Sequence, residues 1–129
     1  MTAVLIDTHT FAWITSEPDR LSPLARQMIE TVDDVFASVV SLYEIAQKVR
    51  LGKWPEMVST VMSLNEEARA IGVGLIPVIG PTSLQAGLLD WSHRDPFDRI
   101  IAATALAMGL VLISTDRAFD SLPDLQRIW

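Results

Sequence analysis

The chain contains no cysteine. That excludes disulfides and thiolate metal sites, and it suits a cytoplasmic setting without requiring one. No apolar run approaches the ~18 residues a membrane span needs, and no basic segment followed by a long apolar stretch opens the sequence, so neither a membrane partner nor secretion is expected. The glycines fit neither G-x-G-x-x-G nor the P-loop pattern, which excludes those phosphate cradles. The two histidines, His9 and His93, make no zinc spacing. Ser41 and Ser114 have no nearby base that would complete a nucleophilic triad. Basic residues are also scarce: 10 Lys and Arg stand against 16 Asp and Glu, a net charge of −6. Such a chain is not a non-specific nucleic-acid coat. A nuclease remains open, because a metal ion in an acidic site is itself the local positive charge, and so does a basic protein partner.

What is present is enough apolar material for one core. Half of the 129 residues are hydrophobic, so residues 1–129 are expected to form one domain. Val4 to Ile6 reads as a buried strand and Thr8 to Ile14 as a helix. Ser22 and Pro23 open a second helix that runs to about Glu30. Val35 to Val39 is a second strand. Ser41 caps the helix that follows, with Glu44 at capping-box spacing, and that helix stops near Gly52. Met57 to Ala70 carries a helical period. Gly72-Val73-Gly74 turns into a strand over Leu75 to Ile79, and Gly80-Pro81-Thr82 opens a helix to about Leu89. A loop over His93 to Phe97 leads to a helix from Asp98 to Met108, ended by Gly109. Val111 to Ser114 is a fourth strand, Asp116 to Phe119 a helical turn, and Gln126 to Trp129 a last short strand. Continuous apolar strands alternating with helices predict an α/β fold, a parallel central sheet with helices on both faces.

Four acids stand where this pattern ends a strand or begins a helix: Asp7, Glu44, Asp98 and Asp116. In a parallel sheet all four fall on the carboxyl edge, where such folds bind ligands. Grouped carboxylates need protons or a cation to coexist. Oxygen ligands suit Mg²⁺ or Mn²⁺, and such an ion supports phosphodiester hydrolysis. The pattern nominates Asp7, Glu44 and Asp98 as principal ligands, directly or through water, and Asp116 as an outer or second-metal ligand, with Thr8 and Thr115 orienting these carboxylates or waters. Each acid also has an ordinary explanation: Asp98 in a helix dipole, Asp116 in an Asx-turn, Glu44 in its capping box. Asp95 precedes Pro96 and shapes the loop, with a water-mediated metal role as the lesser reading. Arg94, Arg99 and Arg117 flank the acids and read equally as phosphate contacts or as surface ion pairs. Trp13, Trp54 and Trp91 read as packing anchors.

These residues resemble the PIN-domain family, and within it the VapC-like toxins of toxin–antitoxin pairs. Leu5-Ile6-Asp7-Thr8-His9 looks like the first acidic motif, and Ser41-Leu42-Tyr43-Glu44-Ile45 like the second. His93-Arg94-Asp95-Pro96-Phe97-Asp98-Arg99 with Ile101-Ala102-Ala103 resembles the most distinctive motif, and Ser114-Thr115-Asp116 with Phe119 the fourth. The resemblance implies an α/β/α sandwich with Mg²⁺- or Mn²⁺-dependent ribonuclease activity. It carries Asp7, Glu44 and Asp98 over as the metal-binding core and Asp116 as the more variable fourth acid. It also implies a homodimer inhibited by a small antitoxin. Two other readings stand beside it: a PIN-like interaction module with little catalysis, and another metal-dependent phosphoesterase.

Overall fold

A computed structural model describes residues 2–129. Its sheet is parallel throughout, in the order β3-β2-β1-β4-β5. The strands are β1 (Ala3–Ile6), β2 (Asp34–Ser38), β3 (Val73–Ile76), β4 (Val111–Ile113) and β5 (Arg127–Ile128). The helices are α1 (Thr8–Ser16), α2 (Pro23–Thr31), α3 (Val40–Arg50), α4 (Leu64–Ala70), α5 (Gly80–Leu88) and α6 (Pro96–Met108).

Successive strand residues point to opposite faces, and here both faces are covered. Val4 and Ile6 of β1 and Val111 and Ile113 of β4 enter one core with Phe11, Ile45, Met57 and Leu64. Leu5 and Leu112, between them in sequence, enter a second core with Ile101, Ala102, Ala105 and Phe119. The three-layer α/β/α architecture expected from the apolar strands is therefore present. It also explains why those strands lack polar alternation: neither side meets water.

The chain winds outward from β1 through β2 to β3, then returns to the other side of β1 for β4 and β5. The winding reverses between β1 and β4, which are paired Val4 to Val111 and Ile6 to Ile113. The crevice beyond the carboxyl ends of these two strands is where an open parallel sheet offers a binding site.

Several local expectations need correction. Residues 57–70 are not one helix. Tight 3-10 turns at Pro55–Met57 and Val61–Ser63 precede α4, which starts only at Leu64. Val58 and Met62, which carried the apparent period, are exposed. The third strand lies earlier than expected, because Gly72 takes the left-handed turn alone (φ 79°). Gly74 belongs to the strand itself, where a Cβ would come within 2.9 Å of the Phe36 ring. Ser41 is not a cap: α3 starts at Val40, and the Ser38 hydroxyl accepts the Val40 N–H instead. Helix α6 begins two residues early at Pro96, with Asp95 as its N-cap. None of the described helices is long and apolar enough to cross a membrane.

Candidate metal centre

Asp7 leaves the end of β1 at the crevice and caps α1. Its Oδ1 accepts both the Thr10 backbone N–H (3.0 Å) and the Thr10 hydroxyl (2.7 Å). Its Oδ2 accepts the Ser114 hydroxyl at 2.5 Å. A carboxylate oxygen has two lone pairs, so Oδ1 is saturated and Oδ2 keeps one for the cleft. Burial pushes the Asp7 carboxyl above its ordinary pKa, against the opposing pull of the Ser114 and Thr10 hydrogen bonds. A buried carboxyl that is costly to ionise alone is one that a cation would stabilise.

Glu44 reaches the same cleft from α3, almost fully buried. The Thr8 hydroxyl donates to its Oε1 at 2.5 Å, and Lys48 pairs with its Oε2 at 3.0 Å. The buried Ser41 hydroxyl lies 3.0 Å from that of Thr8. Ser41 and Glu44 thus form a side-chain chain with Thr8 rather than a capping box. Burial decides this: both groups lie inside the protein, where a hydroxyl network satisfies them and the helix end is served from Ser38.

Asp98 lies in the first turn of α6 because Asp95 starts the helix just before it. The Asp95 Oδ1 accepts the Phe97 N–H at 2.9 Å and the Asp98 N–H at 3.4 Å. Burial raises the Asp98 pKa to about 6. The His93 hydrogen bond opposes the rise, and the negative charges of Asp95 and Glu44 add to it. His93 Nε2 stands 2.7 Å from Asp98 Oδ2. Ligand atoms of His93, Asp98 and Asp116 all lie within 4.8 Å of one another, the one such group of three among the described residues. Asp116 sits at the exposed rim. Its Oδ1 accepts the Ala118 N–H at 2.9 Å, and its own N–H donates to Ser114 at 3.0 Å. The Asx-turn role expected of it is therefore real, and it coexists with a place in the cluster.

All four acids line one cleft of about 690 Å³, with Thr8, His9, Trp13, Arg20, Lys48, His93, Asp95, Thr115 and Arg117. Five carboxylates in it face three bases, an excess of two negative charges. One divalent cation carries that charge, and an oxygen-rich donor set is the kind that holds Mg²⁺ or Mn²⁺.

Three of the supporting residues differ from expectation. Arg99 does not face the cleft. Its guanidinium donates to the carbonyls of Ala86, Gly87, Leu89, Trp91 and His93, at 2.6 to 3.3 Å, and ties down the turn before α6. Arg94 lines a neighbouring groove with Glu44, Lys48 and Phe97 rather than the main cleft. Thr115 lines the cleft, but among the described residues its hydroxyl holds none of the carboxylates. Ser114, buried and one residue earlier, does that instead. Sequence reasoning also passed over His93 and Thr10. The signal for His93 was its position inside the block that contains Asp98. Thr10 stands at the third residue of a helix that Asp7 caps, the usual place of a capping bond.

A PIN domain is matched over residues 4–125. The chain is 34% identical over 124 residues to Ribonuclease VapC22 of Mycobacterium tuberculosis, covering 94% of this chain and 92% of that protein. Among solved structures it resembles VapBC-5 of M. tuberculosis, a member of the VapBC family of toxin–antitoxin systems, with a TM-score of 0.68 and 20% identity over 99% of this chain and 98% of the other. It resembles M. tuberculosis VapC20, a sarcin-ricin-loop-cleaving toxin, with a TM-score of 0.68 and 16% identity over 93% and 95%.

Proposed function

The chain belongs to the PIN-domain family, and on that footing we propose that it is the ribonuclease toxin of a VapBC-type toxin–antitoxin pair, hydrolysing RNA phosphodiesters with Mg²⁺ or Mn²⁺. One observation carries the reading. Asp7, Glu44, Asp98 and Asp116 come from four separate segments and line a single cleft at the point where the sheet's winding reverses.

Asp7, Glu44 and Asp98 would hold the ion, directly or through water, with Asp116 at the rim; among the described residues Asp98 and Asp116, with His93, have ligand atoms close enough to share it directly. When bound, such an ion neutralises charge on a phosphoryl oxygen and acidifies a water. The chain's own residues do the rest. Thr10 and Ser114 fix the Asp7 carboxylate so that one oxygen faces the cleft. Thr8 orients Glu44, and Asp95 starts α6 where Asp98 meets His93. Arg117, exposed and free of any ion pair among the described residues, stands at the cleft mouth to meet a phosphate.

A small antitoxin and a second copy of the chain are the partners this reading implies, and the cytoplasm is where it places them. Leu84, Leu88 and Met108, exposed on α5 and α6, support self-association, which light scattering of the purified protein tests. The activity test uses purified protein, single-stranded RNA and DNA of one sequence, and Mn²⁺ added after chelation. RNA cleavage that returns with Mn²⁺ and is lost in Asp7→Asn supports the proposal. Intact RNA under all conditions would leave a binding module, and release of phosphate from monoesters alone would leave a phosphatase.

A further inference from the structure

One wall of the cleft is aromatic and has no part in holding the carboxylates. His9, on α1, is exposed and lines the cleft. One face of its ring rests on Trp54, with centroids 4.7 Å apart and planes 30° apart. Trp13, one helical turn on, meets His9 edge-on at 5.7 Å and also lines the cleft. Trp54 is buried in the core and fixes the stack from behind. The Arg20 guanidinium stands 5.5 Å from the Trp13 ring and borders the same space. A core histidine would be covered on both sides. This one stays exposed with Trp54 behind one face, and a single residue separates it from Asp7.

We propose that the open face of His9, with Trp13 at its flank, is a base-stacking subsite for the nucleotide beside the scissile phosphate, and that Arg20 receives that nucleotide's outer phosphate. The proposal rests on the ribonuclease reading and adds to it the means by which one base is held. Every base has a flat face, so stacking tolerates sequence. It still demands that the base be unpaired and turned out. The class of substrate is therefore single-stranded or looped RNA rather than a continuous duplex.

The test uses the inactive Asp7→Asn protein and a fluorescent RNA that the active protein cleaves. His9→Ala should weaken binding about tenfold, within the range of one base–aromatic stack. His9→Phe, which keeps a flat ring, should bind within about threefold of the parent. An RNA lacking the base beside the cleavage point should lose about tenfold on the parent protein and nothing further on His9→Ala. The loss on the parent protein needs no assumption about the folding of any His9 variant. Equal binding of intact and abasic RNA, with cleavage by the active protein unimpaired, would overturn the subsite and leave the ribonuclease reading standing. Loss in His9→Phe as large as in His9→Ala would also overturn it. So would a His9→Ala variant that binds RNA normally and loses only a basic peptide, which would assign the wall to a protein partner. Failure of the active protein to cleave any RNA would remove both readings.

Discussion

The Ser114 hydroxyl donates to Asp7 Oδ2 at 2.5 Å, joining residues 107 positions apart. The same hydroxyl accepts the backbone N–H of Asp116 at 3.0 Å. One small side chain thus orients a buried acid at the end of β1 and anchors the loop that carries a second acid.

Ser114→Ala should raise the Asp7 pKa further, because that bond opposes the upward push of burial. A hydrogen bond to a charged group favours the charged form, so the acid limb of the pH–rate profile should move to higher pH. The test is kcat/KM for RNA cleavage between pH 5 and 8. An acid limb that stays where it was would mean that Ser114 serves only the fold.

Asp98 predicts how the metal-free protein responds to pH. Its folded pKa of about 6 lies above the ordinary carboxyl value of 3.8, so between those values the native state binds more protons than the unfolded state. Stability therefore falls as pH rises from about 4 to 6 and stays lower above that, by at most about 3 kcal/mol. Asp98→Asn should raise the melting temperature by several degrees at pH 7.5 and leave it nearly unchanged at pH 4. Mn²⁺ should stabilise the parent protein at pH 7.5 more than the variant. An equal gain at both pH values would show that the effect is packing rather than charge.

Lys48 occupies Glu44 Oε2 at 3.0 Å, the oxygen that Thr8 leaves free. A cation and this ammonium compete for it. Lys48→Met should tighten Mn²⁺ binding several-fold by calorimetric titration, and in chelator it should lower stability by leaving a buried carboxylate unpaired. Unchanged Mn²⁺ affinity would place Glu44 outside the ion's reach.

Arg99 is expected to behave as an organiser of backbone. Its planar fork serves five carbonyls between Ala86 and His93, a geometry that lysine cannot reproduce. Arg99→Lys should cost roughly 2 to 4 kcal/mol and speed hydrogen exchange in residues 89–94. RNA affinity lost without any change in exchange there would restore the phosphate-contact reading.

The sheet and the four acids were legible in the sequence because both are local signals. An apolar run that ends in Asp needs only its neighbours to be recognised, as at Asp7 and Asp116. The groups that tune those acids were not legible. Thr8 meets Glu44 across 36 positions and Ser114 meets Asp7 across 107, and nothing in a serine's surroundings announces such a partner. Arg99 was half legible: a base beside an acidic motif suggests phosphate, and only the fold shows the carbonyls converging on it. The stretch from Met57 to Ala70 misled because 3-10 turns bring side chains round at a spacing close to that of the α-helix, while its outward residues Val58 and Met62 face solvent.

The pairing of β1 with β4 has a consequence for synthesis. Asp7 is made well before Ser114, its partner across the sheet, and before Asp116, both of which follow the fourth strand. A nascent chain that has not yet emitted β4 holds an incomplete cleft. Fragments that end before Val111 should therefore be inert when expressed.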